Sequence, residues 1–341
     1  MRPRAASPES DLDRRAFLRI SGMTAATTCI CCAPPARAQA AATAPAAGRA
    51  GYELRQIGDG LYWVSDGAYN TMFLVSSAGV IACDAPPTLG GSYLKAIAEV
   101  TDRPVTHLVY SHEHVDHIAG AAAFQSGVTI VAHRSTAELL ARRHDPRRPM
   151  PGLVFDGPHV LEIGDQALHL AHHGVNHSLD TIFIHAPRQR VLMLVDVIYP
   201  GFMPYKNLGL AVDIPGFVDA HRQALAYDFQ TLVAGHVSRP GTRSDVEVQH
   251  ELMRDLATAA DEAYATLSFP AFLASHPAAA NGASKWALHN AYEQVLVDRM
   301  AAAVAPRWEG RLADVGTYLR DNCWAMLETF VVQGKPDFIA R

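Results

Sequence analysis

At 341 residues, with 49% hydrophobic and 18% charged side chains, the chain is long enough to bury a full core and too apolar to stay disordered. Its formal charge is −5 and it holds no basic cluster, which argues against nucleic acid as a partner. One large domain with an appendage fits this length better than two equal domains.

The first 38 residues read as a targeting segment. Asp13–Leu18 (DRRAFL) resembles a twin-arginine export signal, a mildly apolar stretch Ile20–Cys32 follows, and Ala36-Arg37-Ala38 offers a cleavage site. That stretch is too short and too weakly apolar to span a bilayer, so no stable membrane insertion is expected. A disordered basic tail is the alternative reading of the segment, and Cys29 an alternative lipidation site. Setting aside 1–38, with 39–51 as a linker, leaves 23 basic and 31 acidic residues in an exported, periplasmic protein. Of five cysteines only Cys83 and Cys323 then remain, each in an apolar run, and they read as buried thiols rather than a disulfide.

From Gly58 to Asp84 short apolar runs alternate with turn signals: Leu61–Val64, Thr71–Val75 and Gly79–Cys83 read as an antiparallel sheet. Leu89–Val100 has helical spacing and Val105–Tyr110 returns to strand. A helix is expected over Ile118–Phe124, a strand over Val128–Ala132, a helix over Thr136–Arg143, and a proline-rich loop over 144–158. A second series follows, with strands at Val160–Ile163, Ala167–Ala171, Thr181–Ile184 and Val191–Val195, a helix at Val218–Tyr227 and a strand at Thr231–Ala234. Two β-rich halves, each with helices, imply two sheets face to face with helices outside. Residues 243–341 change character: 245–267, 284–305 and 310–333 are Ala-rich and helical in pattern. This region either packs on the core or provides a lid or a homodimer surface.

His112-x-His114-x-Asp116-His117, directly after the strand Val105–Tyr110, places four metal-capable side chains within six residues. Neutral imidazoles and carboxylates are the ligands Zn²⁺ prefers. The spacing suits two ions, His112 and His114 facing one while Asp116 and His117 face the other. Further candidates each follow a strand: His172, His173 and His177 after Ala167–Ala171, Asp196 after Val191–Val195, and His236 after Thr231–Ala234. His107 and His133 read as structural histidines within strands.

The series HxHxDH, Gly-x-x-His-Ser-x-Asp, an apolar strand ending in Asp, then Gly-His resembles the metallo-β-lactamase superfamily over about residues 52–240. The resemblance implies an α/β (α+β) fold, a four-layer αββα sandwich over 52–242 with the C-terminal helices appended. It also implies two Zn²⁺ ions, one held by His112, His114 and His177, the other by Asp116, His117 and His236, with Asp196 bridging. Asp84 matches a carboxylate that supports the site from behind. Asp116 would further orient the attacking water and relay a proton. Tyr199, three residues after Asp196, matches a tyrosine beside the substrate carbonyl in lactonases of the family; it either stabilises an oxyanion or packs under the loop.

His114 stands where oxygen and nitric oxide reductases of the family carry a carboxylate, and Asp196 where the antibiotic hydrolases carry Cys or Ser. Tyr199–Phe217 is rich in Phe, Met, Tyr and Leu but broken by Gly and Pro, which suggests an apolar rim to the site. The expected activity is therefore hydrolysis of a lactone, ester or thioester with an apolar portion, the partner being a small-molecule substrate. β-Lactam hydrolysis is the alternative among enzymes, and a metal-holding or ligand-binding module the alternative outside them.

Overall fold

The computed structural model describes residues 51–124, 126–277 and 284–335. The expected export segment 1–38 and residues 39–50 of the linker lie outside them.

Strands β1 (Glu53–Gly58), β2 (Leu61–Ser65), β3 (Asn70–Ser76) and β4 (Gly79–Cys83) form an antiparallel run. Strands β5 (Val105–Val109), β6 (Thr129–His133) and β7 (Leu153–Phe155) extend it in parallel to seven strands, in the order of the chain. The second sheet has six strands, ordered β13-β12-β11-β10-β9-β8. Its members are β8 (His159–Ile163), β9 (Gln166–Ala171), β10 (Phe183–Ala186), β11 (Val191–Met193), β12 (Thr231–Val233) and β13 (Gly241–Thr242).

Side-chain alternation explains the layering. Leu61, Trp63, Met72, Leu74, Ile81 and Cys83 of the first sheet meet Leu168, Ile184, Val191 and Met193 of the second in one buried cluster. The neighbours of those residues point outward. Val64, Phe73, Val80 and Ala82 pack against α1 (Gly91–Val100) and α3 (Arg134–Arg143), through Tyr93, Ala96, Ile97 and Leu140. Phe183, Leu192 and Leu232 pack under α4 (Ile214–Leu225), α5 (Arg243–Thr266), α7 (Lys285–Trp308) and α8 (Val315–Val332). The αββα sandwich with appended C-terminal helices is thus present, and the appendage covers the outer face of the second sheet. Cys83 and Cys323 are free and buried. No described helix is long and apolar enough to cross a membrane.

Several boundaries differ from the sequence expectation. The helix expected over Ile118–Phe124 is α2 at Val115–Ile118, because extended His114 caps it, and a 3₁₀ turn at Ala121–Ala123 follows. α4 starts at Ile214 rather than Val218, since the Asp213 side chain accepts from Gly216 N–H and Pro215 sits in the first turn. β1 and β7 went unrecognised: β1 is a half-exposed edge strand, and β7 is three residues long inside the proline-rich stretch. A further helix, α6 (Phe269–Ser275), lies between α5 and α7.

One buried polar network ties α4 and α5 to the loop after β11. Gln249 donates to Val197 C=O (2.6 Å) and to His221 Nε2 (2.8 Å), and its Oε1 accepts from Tyr199 N–H (2.8 Å). His221 Nδ1 donates to Phe217 C=O (2.9 Å), so the ring serves as a neutral donor–acceptor bridge. Burial lowers its pKa to about 3. The unfolded chain therefore binds a proton near pH 6.5 that the folded chain refuses until about pH 3, so this share of stability is present above pH 6.5 and fades as pH falls through that window. The slope from this one group is about 1.4 kcal/mol per pH unit. Urea unfolding between pH 7 and 4 should show a shallower loss in His221→Gln than in the unaltered protein; equal slopes would contradict the assignment.

Candidate metal centre

Each candidate ligand stands where a strand ends on one shared edge of the two sheets. His112, His114, Asp116 and His117 follow β5, His177 follows β9, Asp196 follows β11 and His236 follows β12. Two residues in left-handed conformation turn the chain at this edge, Asp84 (φ 49°) and Asp196 (φ 61°), a geometry Asp tolerates better than most residues. Gly235 lets His236 approach, because a Cβ there would lie 2.6 Å from Asp196 Oδ1 and 2.8 Å from the His117 ring.

The structure brings all seven candidates together as two groups sharing Asp196: His112, His114, His177 and Asp196, and Asp116, His117, His236 and Asp196. Within each group the ligand atoms lie within 4.8 Å of one another. Asp196 Oδ2 is 3.0 Å from His117 Nε2, 3.3 Å from His177 Nε2 and 3.7 Å from His112 Nε2, while Oδ1 is 3.1 Å from His236 Nε2. Asp116 Oδ2 lies 3.5 Å from His117 Nε2 and 3.8 Å from His236 Nε2. His172 instead stacks on His133 at 4.4 Å, and His173 pairs with the Tyr227 hydroxyl at 2.7 Å, so both stand apart from the cluster. His133 caps α3 by accepting from Ser135 N–H.

The donor set tests whether a divalent cation fits. His112 Nε2 and His117 Nε2 are buried and have no hydrogen-bond partner, although carboxylate oxygen lies near both. Neither nitrogen meets a hydrogen-bond partner, which costs about 1–3 kcal/mol per unpaired buried group unless a cation takes its lone pair. Five imidazoles and two carboxylates suit such a cation. Burial holds the His112 pKa well below its usual value, and that of His177 at about 4, so both imidazoles are available as neutral donors. Burial acts the same way on His117, but the Asp196 charge beside it prevails and raises it to about 9. Asp196 would be raised by burial, yet its imidazole neighbours hold it well below the carboxylate range.

Residues beyond the candidate ligands hold them in place: Asp84, which the resemblance marks, and Asn70, Glu113 and Arg148, which carry no local sequence signal. Asp84, fully buried, accepts from Ser111 N–H at 2.7 Å, and Ser111 Oγ lies 2.9 Å from His112 Nδ1, which leaves Nε2 for the cluster. Burial raises the Asp84 pKa to about 7. Asn70 donates to the carbonyls of His236 (2.8 Å) and Val237 (2.7 Å), pinning the last ligand across the two sheets. Arg148 reaches from the proline-rich loop to both the carbonyl and the carboxylate of Glu113, the latter at 2.7 Å. Glu113 sits between His112 and His114, and both partners are 6% exposed, so this ion pair clamps the ligand loop from behind.

Above the ligands opens a cavity of about 580 Å³ lined by His114, Asp116, His177, Asp196 and His236 at its floor and by Tyr69, Tyr199, Phe202, Tyr205 and Tyr318 on its walls. The Tyr199–Phe217 segment forms much of this wall. Its part before α4 is irregular as expected, apart from a left-handed turn in which Asn207, Leu208, Gly209 and Leu210 all have positive φ, whereas residues 214–217 are helical as the first turn of α4. Three of these are not glycine, a conformation that costs about 1–2 kcal/mol per residue and persists only when its surroundings impose it. Asn322 of α8 imposes it, accepting from Leu208 N–H (2.7 Å) and donating to Pro204 C=O (2.9 Å). Tyr199 lies 6% exposed, parallel to the His236 ring at 6.4 Å, with its hydroxyl 3.4 Å from Asp196 C=O. Gly209 makes room for it, as a Cβ there would stand 2.6 Å from that hydroxyl.

Two substitutions follow. Arg148→Ala leaves the buried Glu113 carboxylate only the more exposed Arg143, at 3.1 Å, and should destabilise the fold by up to about 3 kcal/mol, with Glu113→Gln restoring much of the loss in the double variant; additive effects in denaturant titrations would sink the clamp. Asn322→Ala should cost about 1–3 kcal/mol and raise KM more than it lowers kcat, because it frees the cavity wall and spares the ligands. An unchanged KM would contradict that role.

Comparison with known proteins agrees with this geometry. The family model described as the metallo-beta-lactamase superfamily matches residues 71–260. The 2,4-dinitroanisole O-demethylase subunit alpha of Nocardioides sp. (strain JS1661) is 27% identical over 210 residues, which is 60% of this chain and 63% of that subunit, so the chain spans less than two thirds of its length. The metallo-beta-lactamase type 2 of Elizabethkingia meningoseptica is 24% identical over 194 residues, 54% of this chain and 74% of that protein. Among solved structures, the metallo-beta-lactamase from Pontibacter korlensis is similar in fold at a TM-score of 0.51 and 22% identity, covering 60% of this chain and 99% of that one. With the family model spanning more than half of its length, this chain belongs to the metallo-beta-lactamase superfamily.

Proposed function

We propose that the chain is a dinuclear zinc hydrolase acting on an acyl bond of a lactone, ester or thioester with an apolar portion. The observation that carries this reading is the shared carboxylate: Asp196 lies beside two histidines of each ligand group, His112 and His177 of one and His117 and His236 of the other. When bound, two zinc ions supply a water whose pKa is lowered to about 7 and polarise the scissile carbonyl. Asp116, whose side chain is 44% exposed to the cavity while the other carboxylate is buried, orients that water and takes its proton to the leaving group. Burial and the Asp196 charge keep Tyr199 a neutral phenol, so it donates a hydrogen bond to the oxygen on which negative charge develops. The apolar walls exclude bulk water from the reacting carbonyl, which strengthens both effects.

Asp196 favours this chemistry over β-lactam hydrolysis, which stays the second reading because a relative bears that name. The other relative is named as a 2,4-dinitroanisole O-demethylase subunit, and the aromatic walls here justify including aryl ethers among the substrates tried. The arginine pair Arg14-Arg15 supports export to the periplasm, and a reporter fused to residues 1–45 should leave the cytoplasm if that holds.

Elemental analysis of the purified protein should give two zinc ions per chain, and a panel of lactones, thioesters, aryl esters, nitrocefin and an aryl methyl ether should include a substrate whose turnover EDTA abolishes and zinc restores. His112→Ala should bind less metal and lose at least about a hundredfold in kcat. Full activity in that variant, or turnover insensitive to EDTA, would refute the proposal.

A further inference from the structure

The C-terminal helices do more than cover the second sheet. Ala313 N–H donates to Gly201 C=O (2.9 Å) and Met203 N–H to Ala313 C=O (2.9 Å), a short bridge that joins the start of α8 to the loop after Asp196. That bridge brings Asp314 and Tyr318 into the wall of the cavity above the ligands. Tyr318 meets Tyr205 edge to face, ring centroids 5.2 Å apart. Both Asp314 and Tyr318 lie beyond the residues matched by the family model, so this wall belongs to the chain's own appendage.

Charge on this wall is one-sided. Apart from the candidate ligands Asp116 and Asp196, Asp314 is the one formally charged group lining the cavity among the described residues, and no lysine or arginine lines it. Lys206, next to the lining Tyr205 in sequence, pairs with Asp321 at 3.6 Å, and Arg239, beside Gly201, pairs with Asp245 at 2.6 Å. Asp314 itself makes no ion pair among the described residues and its side chain caps no helix. It holds a left-handed backbone (φ 59°) fixed by the Ala313 bridge, which keeps the carboxylate at the cavity rim.

Resting on the hydrolase reading above, we propose that the appendage selects substrates whose apolar portion is aromatic and neutral or cationic, the Tyr205–Tyr318 pair packing the ring and Asp314 repelling anionic tails. An aromatic edge-to-face pair offers ring contacts that a linear acyl chain does not exploit. A single exposed carboxylate at the rim separates a neighbouring cation from a neighbouring anion by roughly tenfold at low ionic strength, since about 1 kcal/mol of attraction for one is set against the same repulsion for the other. Acyl groups carrying phosphate or carboxylate tails are then poor substrates for reasons unrelated to the reaction centre.

Binding of hydroxamates to the zinc-loaded protein tests this without turnover. Calorimetry would compare benzohydroxamate bearing a para-methyl, para-carboxylate or para-trimethylammonium group, each relative to acetohydroxamate, which lacks the ring. The trimethylammonium compound should bind about tenfold tighter than the carboxylate, and Asp314→Asn, a residue that also accepts positive φ, should shrink that gap to within about threefold. Tyr318→Ala should cut the advantage of all three aryl compounds over acetohydroxamate by about fivefold. Equal binding of the three by the unaltered protein, or an undiminished gap in Asp314→Asn, would overturn the proposal. Failure of acetohydroxamate itself to bind would overturn the zinc-site reading and this proposal with it.

Discussion

A carboxylate buried among four imidazoles sets the terms for the rest of this structure. Taking an ionised carboxylate out of water costs several kcal/mol unless opposite charge or strong donors meet it. Asp196 is 4% exposed, and what meets it are His112, His117, His177 and His236, arriving from three separate loops. Protonating all four imidazoles would satisfy the carboxylate and set the rings against one another, since His112 lies within about 5 Å of both His117 and His177. The opposite displacements of His117 and His177 record that conflict. Divalent cations would resolve it, because every imidazole would then stay neutral and the carboxylate would still face positive charge.

The sandwich exists to make those loops converge. Alternation along each strand buries one face between the sheets and the other under helices, which locks register and therefore the point at which each strand ends. Loops leaving locked strands are rigid platforms, while the wall of the cavity is built differently. It is an irregular segment whose backbone polar groups find their partners on the appendage, through Gln249 and Asn322. Floor and wall thus draw their order from different parts of the chain.

How much of this was legible in the sequence follows from how local each signal is. The His112–His117 motif is six residues long, and a period of two or of 3.6 marks most strands and helices, so ligands and layers could be read directly. Edge strand β1 and three-residue β7 lack enough periodicity to register. The supporting contacts are of another kind. Arg148 and Glu113 stand 35 residues apart, Gln249 and Tyr199 50, Asn322 and Leu208 114, Asn70 and His236 166. A single arginine or amide carries no spacing pattern that announces such a partner. The apolar character of Tyr199–Phe217 pointed to a rim, whereas the two residues that α8 adds to the cavity had no signal at all.

The Asn322 contact also bears on the order in which a growing chain acquires its parts. All seven ligand candidates and every described strand precede Arg243, so the floor and both sheets are encoded before the C-terminal helices begin. Leu208 and Pro204 wait for Asn322, and the cavity for Tyr318, within the last helix to be made. In a chain synthesised from its N-terminus, the candidate ligands are therefore complete before the cavity wall is. A product truncated before α8 would carry all seven of them and lack Tyr318, Asn322 and the apolar face that α8 buries.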